Sequence, residues 1–392
     1  MFDIDLALRY LVDHGGSDLH VKVPSPPMVR IDGELSPVEG AESLTPEDTQ
    51  AALHKILAKE QGIAEFEEEG EVDFSYSVPG LARFRVNAFR QRGSVSIACR
   101  AIPYGVPSID ELGLPEAVRE LAMAERGIVL VTGATGSGKS TTLASMIREI
   151  NENRTRHVIT LEDPIEYLHR DQRSIVNQRE IGEDTRDFPR ALRRVLRQDP
   201  DVILIGEMRD TETARTALAA AETGHLVFST LHTLNATESV NRIIDLFPPH
   251  LQHQSRVMLA ATLRGTISQR LVRRADGSGR LAVCEVLMGT DRARDLIVDP
   301  ERTAELHKVI VEGSFYGMQS FDQDLTVRVL AGEVTVEDAL QVATSPNDFK
   351  LMLDAASGAP PAEAPAPNGN GHSGAAGTNG VGSTAPEPVA HT

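Results

Sequence analysis

The stretch that decides the fold runs Gly127-Ile128-Val129-Leu130-Val131-Thr132-Gly133-Ala134-Thr135-Gly136-Ser137-Gly138-Lys139-Ser140-Thr141. Its opening is an apolar run, which reads as a strand covered on both faces. Gly133 to Ser140 then matches GxxxxGK[ST] in full, and a helical pattern follows over 141–150. Strand, glycine-rich turn and helix in that order are the context in which this motif holds a nucleoside triphosphate. The glycines let backbone N–H groups turn inward around phosphates, and the helix N-terminus adds a field that favours anions. Gly133, Ala134, Thr135, Gly136, Ser137, Gly138, Lys139, Ser140 and Thr141 are therefore the expected binding residues for ATP. Lys139 would reach the β and γ phosphates, and the Ser140 hydroxyl would bind Mg²⁺.

Outward from this loop, 158–161, 202–205 and 226–231 read as further apolar strands with helices between them. That pattern predicts an α/β fold built on a buried parallel sheet. Ligands in such sheets bind outside the carboxyl ends of the strands. Two carboxylates sit at such ends. Glu162 leaves the strand 158–161 in Glu162-Asp163-Pro164-Ile165-Glu166, and Glu207 leaves Val202-Ile203-Leu204-Ile205-Gly206. Gly206 stands where a Mg²⁺-holding aspartate is usual. Mg²⁺ would then rely on Ser140, phosphate oxygens and waters, with Glu207 or Glu162 acting through water. Both glutamates are catalytic candidates. His232 ends the strand 226–231 on the same side and is placed to sense the γ-phosphate, whereas His225, at the strand's start, reads as structural. The segment 184–197 reads as an amphipathic helix whose Arg190, Arg193, Arg194 and Arg197 form a solvated or subunit-facing basic face.

The first hundred residues read as α+β. Ile4, Leu8, Leu11 and Val12 have helical spacing, and a second helix starts at the cap Thr45 and runs to about Lys59. Strands are expected at 19–23, 28–31, 72–78, 82–91 and 94–102. The last two form a hairpin around Arg92-Gly93, with glycine where a primed turn prefers it. Gln91 then opposes Ser94, and Arg85 falls opposite Arg100. Like charges directly opposed cost stability, so an anion is expected between them, either an acidic neighbour or a phosphate of the nucleotide. Proline and glycine from 103 to 113 break the strand pattern, which sets domains at 1–105 and 126–354 with 106–125 as a linker. Residues 355–392 hold no aromatic residue, lysine or arginine, and read as a disordered tail.

The whole chain has 392 residues, 41% of them hydrophobic and 24% charged, enough for a sizeable core. No apolar run is long enough to span a bilayer, and the start lacks a signal peptide's positive region. Cys99 and Cys284 are the only cysteines, too few for a disulfide framework or a four-cysteine zinc site. A net charge of -18 argues against direct, non-specific nucleic-acid binding. These features predict a soluble cytosolic protein.

Together the motifs resemble the type II/type IV secretion ATPase superfamily, and within it the PilT-type pilus retraction ATPases. Ser17-Asp18-Leu19-His20 and Pro27-Met28-Val29-Arg30-Ile31-Asp32-Gly33 resemble the family's PAS-like N-terminal domain, and Phe84-Arg85-Val86-Asn87-Ala88-Phe89 its arginine-bearing strand. The segment 161–166 is similar to its Asp box, 206–210 to its Walker B region, 223–233 to its His box and 317–325 to its C-terminal segment. Arg292-Ala293-Arg294-Asp295-Leu296-Ile297 partly matches an Ala-Ile-Arg-Asn-Leu-Ile-type stretch of retraction motors. The resemblance implies a RecA-like P-loop ATPase core preceded by an α+β PAS-like domain. It implies a cytoplasmic homohexamer with active sites between subunits, held to the inner face of the membrane by a pilus platform protein and not inserted in it. Arg85 and Arg100 would then act on the γ-phosphate of a neighbouring subunit. The expected work is pilus retraction. A pilus-assembly or type II secretion motor of the same fold is the alternative, and a nucleic-acid translocase a more distant one.

Overall fold

The computed structural model describes residues 2–102 and 105–357. It has two sheets, each with its own apolar core. The first is antiparallel and comes wholly from the first 102 residues. After α1 (Ile4–Asp13) come β1 (Asp18–Val21), β2 (Met28–Ile31) and the short β3 (Glu34–Pro37). Then follow α2 (Pro46–Ile56), α3 (Glu60–Glu69), β4 (Glu71–Val78), β5 (Ala82–Gln91) and β6 (Ser94–Ile102). The strand order is β3-β2-β1-β6-β5-β4. Strand side chains alternate between faces. Leu19, Val21, Phe84, Val86, Ala88 and Ile97 point to one face and pack under Leu8, Leu11, Leu53, Ile56 and Phe66 of the helices. The other face carries Arg83, Arg85, Asn87, Ser94, Ser96 and Arg100.

One reading changes here. The helix beginning at Thr45 ends at Ile56, three residues short of Lys59, and α3 follows as a separate helix closed by Gly70 in the left-handed conformation. The hairpin register is as read. Gln91 pairs with Ser94 and Arg85 with Arg100, across a turn in which Arg92 and Gly93 both have positive φ.

The second sheet is mostly parallel. Its elements begin with α4 (Glu116–Ala122), β7 (Gly127–Thr132), α5 (Lys139–Asn153), β8 (His157–Glu162) and β9 (Ile175–Glu180). They continue with α6 (Phe188–Val195), β10 (Val202–Ile205), α7 (Thr211–Glu222), β11 (Leu226–Leu231), α8 (Ala236–Asp245) and α9 (Pro249–Thr262). β12 (Leu263–Arg273) and β13 (Arg280–Met288) complete the sheet, in the order β13-β12-β7-β11-β10-β8-β9. Only β13 runs antiparallel to its neighbour. β7, β10 and β11 are buried along their whole length, as their unbroken apolar runs require. Helices α4 and α5 cover one face and α6 to α9 the other. α10 (Asp291–Val298) and α11 (Leu306–Glu312) extend that second layer. α12 (Phe321–Leu330), α13 (Val336–Val342) and α14 (Pro346–Ser357) close over β12 and β13 through Phe321, Leu325 and Phe349.

Three expectations are corrected by this layer. The segment 106–125, read as a linker, contains α4, and its Ile109, Leu114, Val118 and Leu121 pack in one cluster with Val129 and Leu143. The helix read over 184–197 is shorter. Asp187 caps it by accepting from Arg190 N, and Pro189 restricts its first turn, so it spans only Phe188–Val195. At the far end α14 runs through Ser357, three residues into the segment read as tail; residues 358–392 lie outside the described residues. Among the described residues, no helix is long and apolar enough to cross a membrane.

Candidate active site

In-register parallel pairing brings four strand ends to one edge of the sheet. Thr132 pairs with Leu231, Ile205 with Ser229, and Ile205 with Leu161. The residues at and just beyond these ends therefore converge: the glycine loop after β7, Glu162 at the end of β8, Glu207 after β10 and His232 after β11. They line one cleft of about 510 Å³ with Thr135, Gly136, Gly138, Lys139, Ser140 and Thr141. Lys139, Ser140, Glu162, Glu207 and His232 are thus brought together. Arg85 and Arg100 are not among the residues that line it.

The loop suits a polyphosphate. Gly133, Gly136 and Gly138 all have positive φ. A Cβ at Gly133 would stand 2.5 Å from the Gln269 carbonyl oxygen, and one at Gly138 2.8 Å from Gln269 Nε2. Gln269, on β12, backs the loop and accepts a hydrogen bond from Thr142 Oγ1 at 2.8 Å. α5 starts at Lys139, so its first N–H groups have no partner within the helix and face the cleft. Ser137 Oγ is buried without a partner among the described residues. Lys139 Nζ donates to the carbonyls of Gly133 and Ala134 at 2.9 and 3.0 Å. Burial lowers its pKa, against the pull of Glu166 and Glu207.

Glu162 is held from two sides. Thr160 Oγ1 and Gln178 Nε2 both donate to its Oε1, at 2.6 and 3.1 Å. Burial nevertheless raises its pKa above the ordinary glutamate value, because removing water penalises the charged form. Glu207 pairs with Arg209 Nη2, and His232 Nε2 lies 3.7 Å from its other oxygen. Gly206 has a local reason to be glycine. Its N–H donates to Leu161 O at 2.7 Å, and a Cβ there would sit 3.2 Å from that same oxygen. His225 holds the Ala220 carbonyl through Nδ1 at 3.0 Å, which agrees with a structural role.

Several neighbours escape a sequence reading. Gln178 lies on β9, a strand with little apolar signal, and besides Glu162 it binds Tyr167 O and accepts from His169 N. Burial pushes the pKa of His169 down to about 4, so the ring is neutral near pH 7. Tyr167 OH and Thr141 Oγ1 lie within hydrogen-bond distance at 2.9 Å, joining the loop after Glu162 to α5. Arg280, at the start of β13, also lines the cleft.

Of the two opposed arginines, Arg100 has an acidic neighbour. Arg100 Nε donates to Asp18 Oδ1 at 2.8 Å, but Asp18 is on β1, on the side of Arg100 away from Arg85. The acidic neighbour thus answers for Arg100 alone. Arg85 opens instead onto a second cleft between the two sheets.

The type II/IV secretion system protein family model matches residues 69–294. The type IV pilus retraction ATPase PilT of Pseudomonas aeruginosa is 44% identical over 347 residues, covering 88% of this chain and 100% of that relative. The type IV pilus ATPase PilU of the same organism is 45% identical over 351 residues, covering 90% of this chain and 91% of PilU. Among solved structures, a crystal structure of the pilus retraction motor PilT with bound ADP superposes with a TM-score of 0.80 at 46% identity. It covers 90% of this chain and 100% of that one.

Proposed function

This chain belongs to the type II/IV secretion system protein family, and on that premise we propose that it is an ATP-hydrolysing motor that powers type IV pilus retraction. The observation that carries the reading is the convergence of Lys139, Ser140, Glu162, Glu207 and His232 on one cleft behind a complete phosphate loop. The near full-length likeness to a retraction ATPase directs that chemistry to pili. The second sheet is read as a RecA-like core and the first as a PAS-like domain, dividing the chain near residues 103–113.

In this reading the loop N–H groups and Lys139 bind the β and γ phosphates of ATP. Ser140 and Glu207 would hold Mg²⁺, which would supply positive charge to help neutralise the phosphates. Among the described residues no group of three His, Cys, Asp or Glu is placed to hold a metal, so most Mg²⁺ ligands would be phosphate and water. Glu162 and Glu207 are the two carboxylates able to take a proton from the attacking water. His232, beside Glu207, reports whether the γ-phosphate is present. The protein acts as a homohexamer in the cytoplasm, against a platform protein at the inner face of the membrane. A deletion strain tests the direction of work. Abundant surface pili with no twitching would support retraction, and cells without pili would replace it with assembly.

The arginines lead to a further expected outcome. Arg85 and Arg100 lie outside their own subunit's phosphate cleft, and in the ring of this reading they serve a neighbour's ATP. Subunits carrying Arg85→Ala with Arg100→Ala, mixed with Lys139→Ala subunits, should recover part of the turnover that each lacks alone. One class of interface regains both an intact loop and intact arginines. Mixed rings with no turnover at any ratio would remove the trans role.

A further inference from the structure

The second cleft, of about 400 Å³, lies between the two sheets and shares Asp163 and Pro164 with the phosphate cleft. At its base is Glu180, the last residue of β9 and only 4% exposed. Three donors converge on its carboxylate. Ser75 Oγ, from β4, donates to Oε1. Arg83 Nη2, from β5, lies 3.2 Å from Oε2. Ile165 N donates to that same Oε2 at 3.1 Å. The first two belong to the N-terminal sheet. The third belongs to the backbone that leaves Glu162. Glu183, nearby, pairs with Lys59 across the same gap.

A buried carboxylate with one good partner would be ordinary glue between domains. Here one oxygen is shared by a guanidinium of one domain and a loop amide of the other. The guanidinium is the carboxylate's only cationic partner among the described residues, and a buried carboxylate stripped of its cation has to move or take up solvent. If the N-terminal sheet tilts and carries Arg83 away, Glu180 cannot keep its place, and Ile165 N loses its acceptor. Gln178 stands two residues earlier on the same face of β9 and grips Glu162 and Tyr167 O. The segment 162–169 is thus braced by β9 near both ends, and the brace at Ile165 is the one the N-terminal sheet also holds.

We infer that Glu180 is a positioning residue through which the seating of the N-terminal sheet sets the loop that carries Glu162, so that turnover depends on the angle between the two sheets. The inference rests on the ATPase reading. The test uses the full chain and measures steady-state ATP turnover, affinity for a fluorescent ADP analogue and the melting midpoint. In Glu180→Gln one amide oxygen still accepts from Ile165 N, while the ion pair is lost. This variant and Arg83→Ala should each lower kcat about tenfold, the scale of one hydrogen bond to a charged group. Affinity should stay within about twofold in both, and the melting midpoint of Glu180→Gln should stay near that of the wild type, whereas Arg83→Ala, which leaves a buried carboxylate without its cation, should melt lower. The double variant should be no slower than the slower single one, because both break the same link. Arg83→Lys should recover most of the rate. Wild-type kcat in Arg83→Ala, losses that multiply in the double variant, or affinity falling in step with kcat would each overturn the inference. Turnover that persists in Lys139→Ala would instead sink the assignment of hydrolysis to this cleft, on which the inference rests.

Discussion

Lys139→Ala is expected to abolish ATP turnover, by at least about 100-fold, since removing one preorganised charge-stabilising donor commonly costs that much. The amine is pinned over the loop by the carbonyls of Gly133 and Ala134, where an arriving phosphate would replace them as its partner. Alanine offers neither charge nor reach. The loop itself should persist, because its glycines and the backing of Gln269 do not depend on the amine. The melting midpoint without nucleotide should therefore be close to the wild type, while the stabilisation that ATP gives the wild type shrinks. Steady-state turnover together with melts in the presence and absence of nucleotide reads both. Unchanged turnover would mean that ATP is hydrolysed elsewhere.

Glu207→Gln should bind ATP and fail to hydrolyse it, losing about 10² to 10⁴ in kcat, the usual contribution of a general base. An amide keeps the shape and the contact with water but accepts no proton. Near-normal turnover in this variant would pass the base role to Glu162, which has a signature of its own. Its pKa is raised by burial, and only the ionised form can act as a base. Turnover should then fall as pH drops through that raised value, on an acid limb above the ordinary glutamate value of 4.5. Thr160 Oγ1 favours the ionised form by donating to it. Thr160→Val removes that donor, raises the pKa further and should move the limb to higher pH. A limb that stays in place in Thr160→Val would show that some other group titrates.

The nucleotide side of the site was legible because its residues are punctuation. Glu162, Glu207 and His232 each end an apolar strand, and strand ends in a parallel sheet are where ligands collect. The Arg85–Arg100 register was legible for a similar reason, since Arg92-Gly93 is a turn signal that sets the pairing of the whole hairpin. What escaped has weak local signals. β9 reads Ile-Val-Asn-Gln-Arg-Glu, an edge strand whose last four side chains are polar and bond to neighbouring strands and loops. Its importance lies in where Gln178 and Glu180 point, which no period reveals. α4 is a seven-residue helix between prolines and glycines, too short to show a stripe. Asp18, the partner of Arg100, lies 82 positions away along the chain, beyond any spacing argument.

The place of β7 in its sheet also sets an order of assembly. The strand that delivers the phosphate loop pairs on one side with β11 and on the other with β12. Every strand of the N-terminal sheet, in contrast, has left the ribosome once residue 102 has. During synthesis that sheet can close early, whereas the loop lacks its backing until Gln269 has emerged. Pairing between distant segments is slow to form and exposed while it waits. A nascent chain arrested before β12 should therefore protect its first hundred residues from protease and still gain no protection from ATP. The capacity to bind ATP would arrive late in synthesis, after the domain that responds to it is already folded.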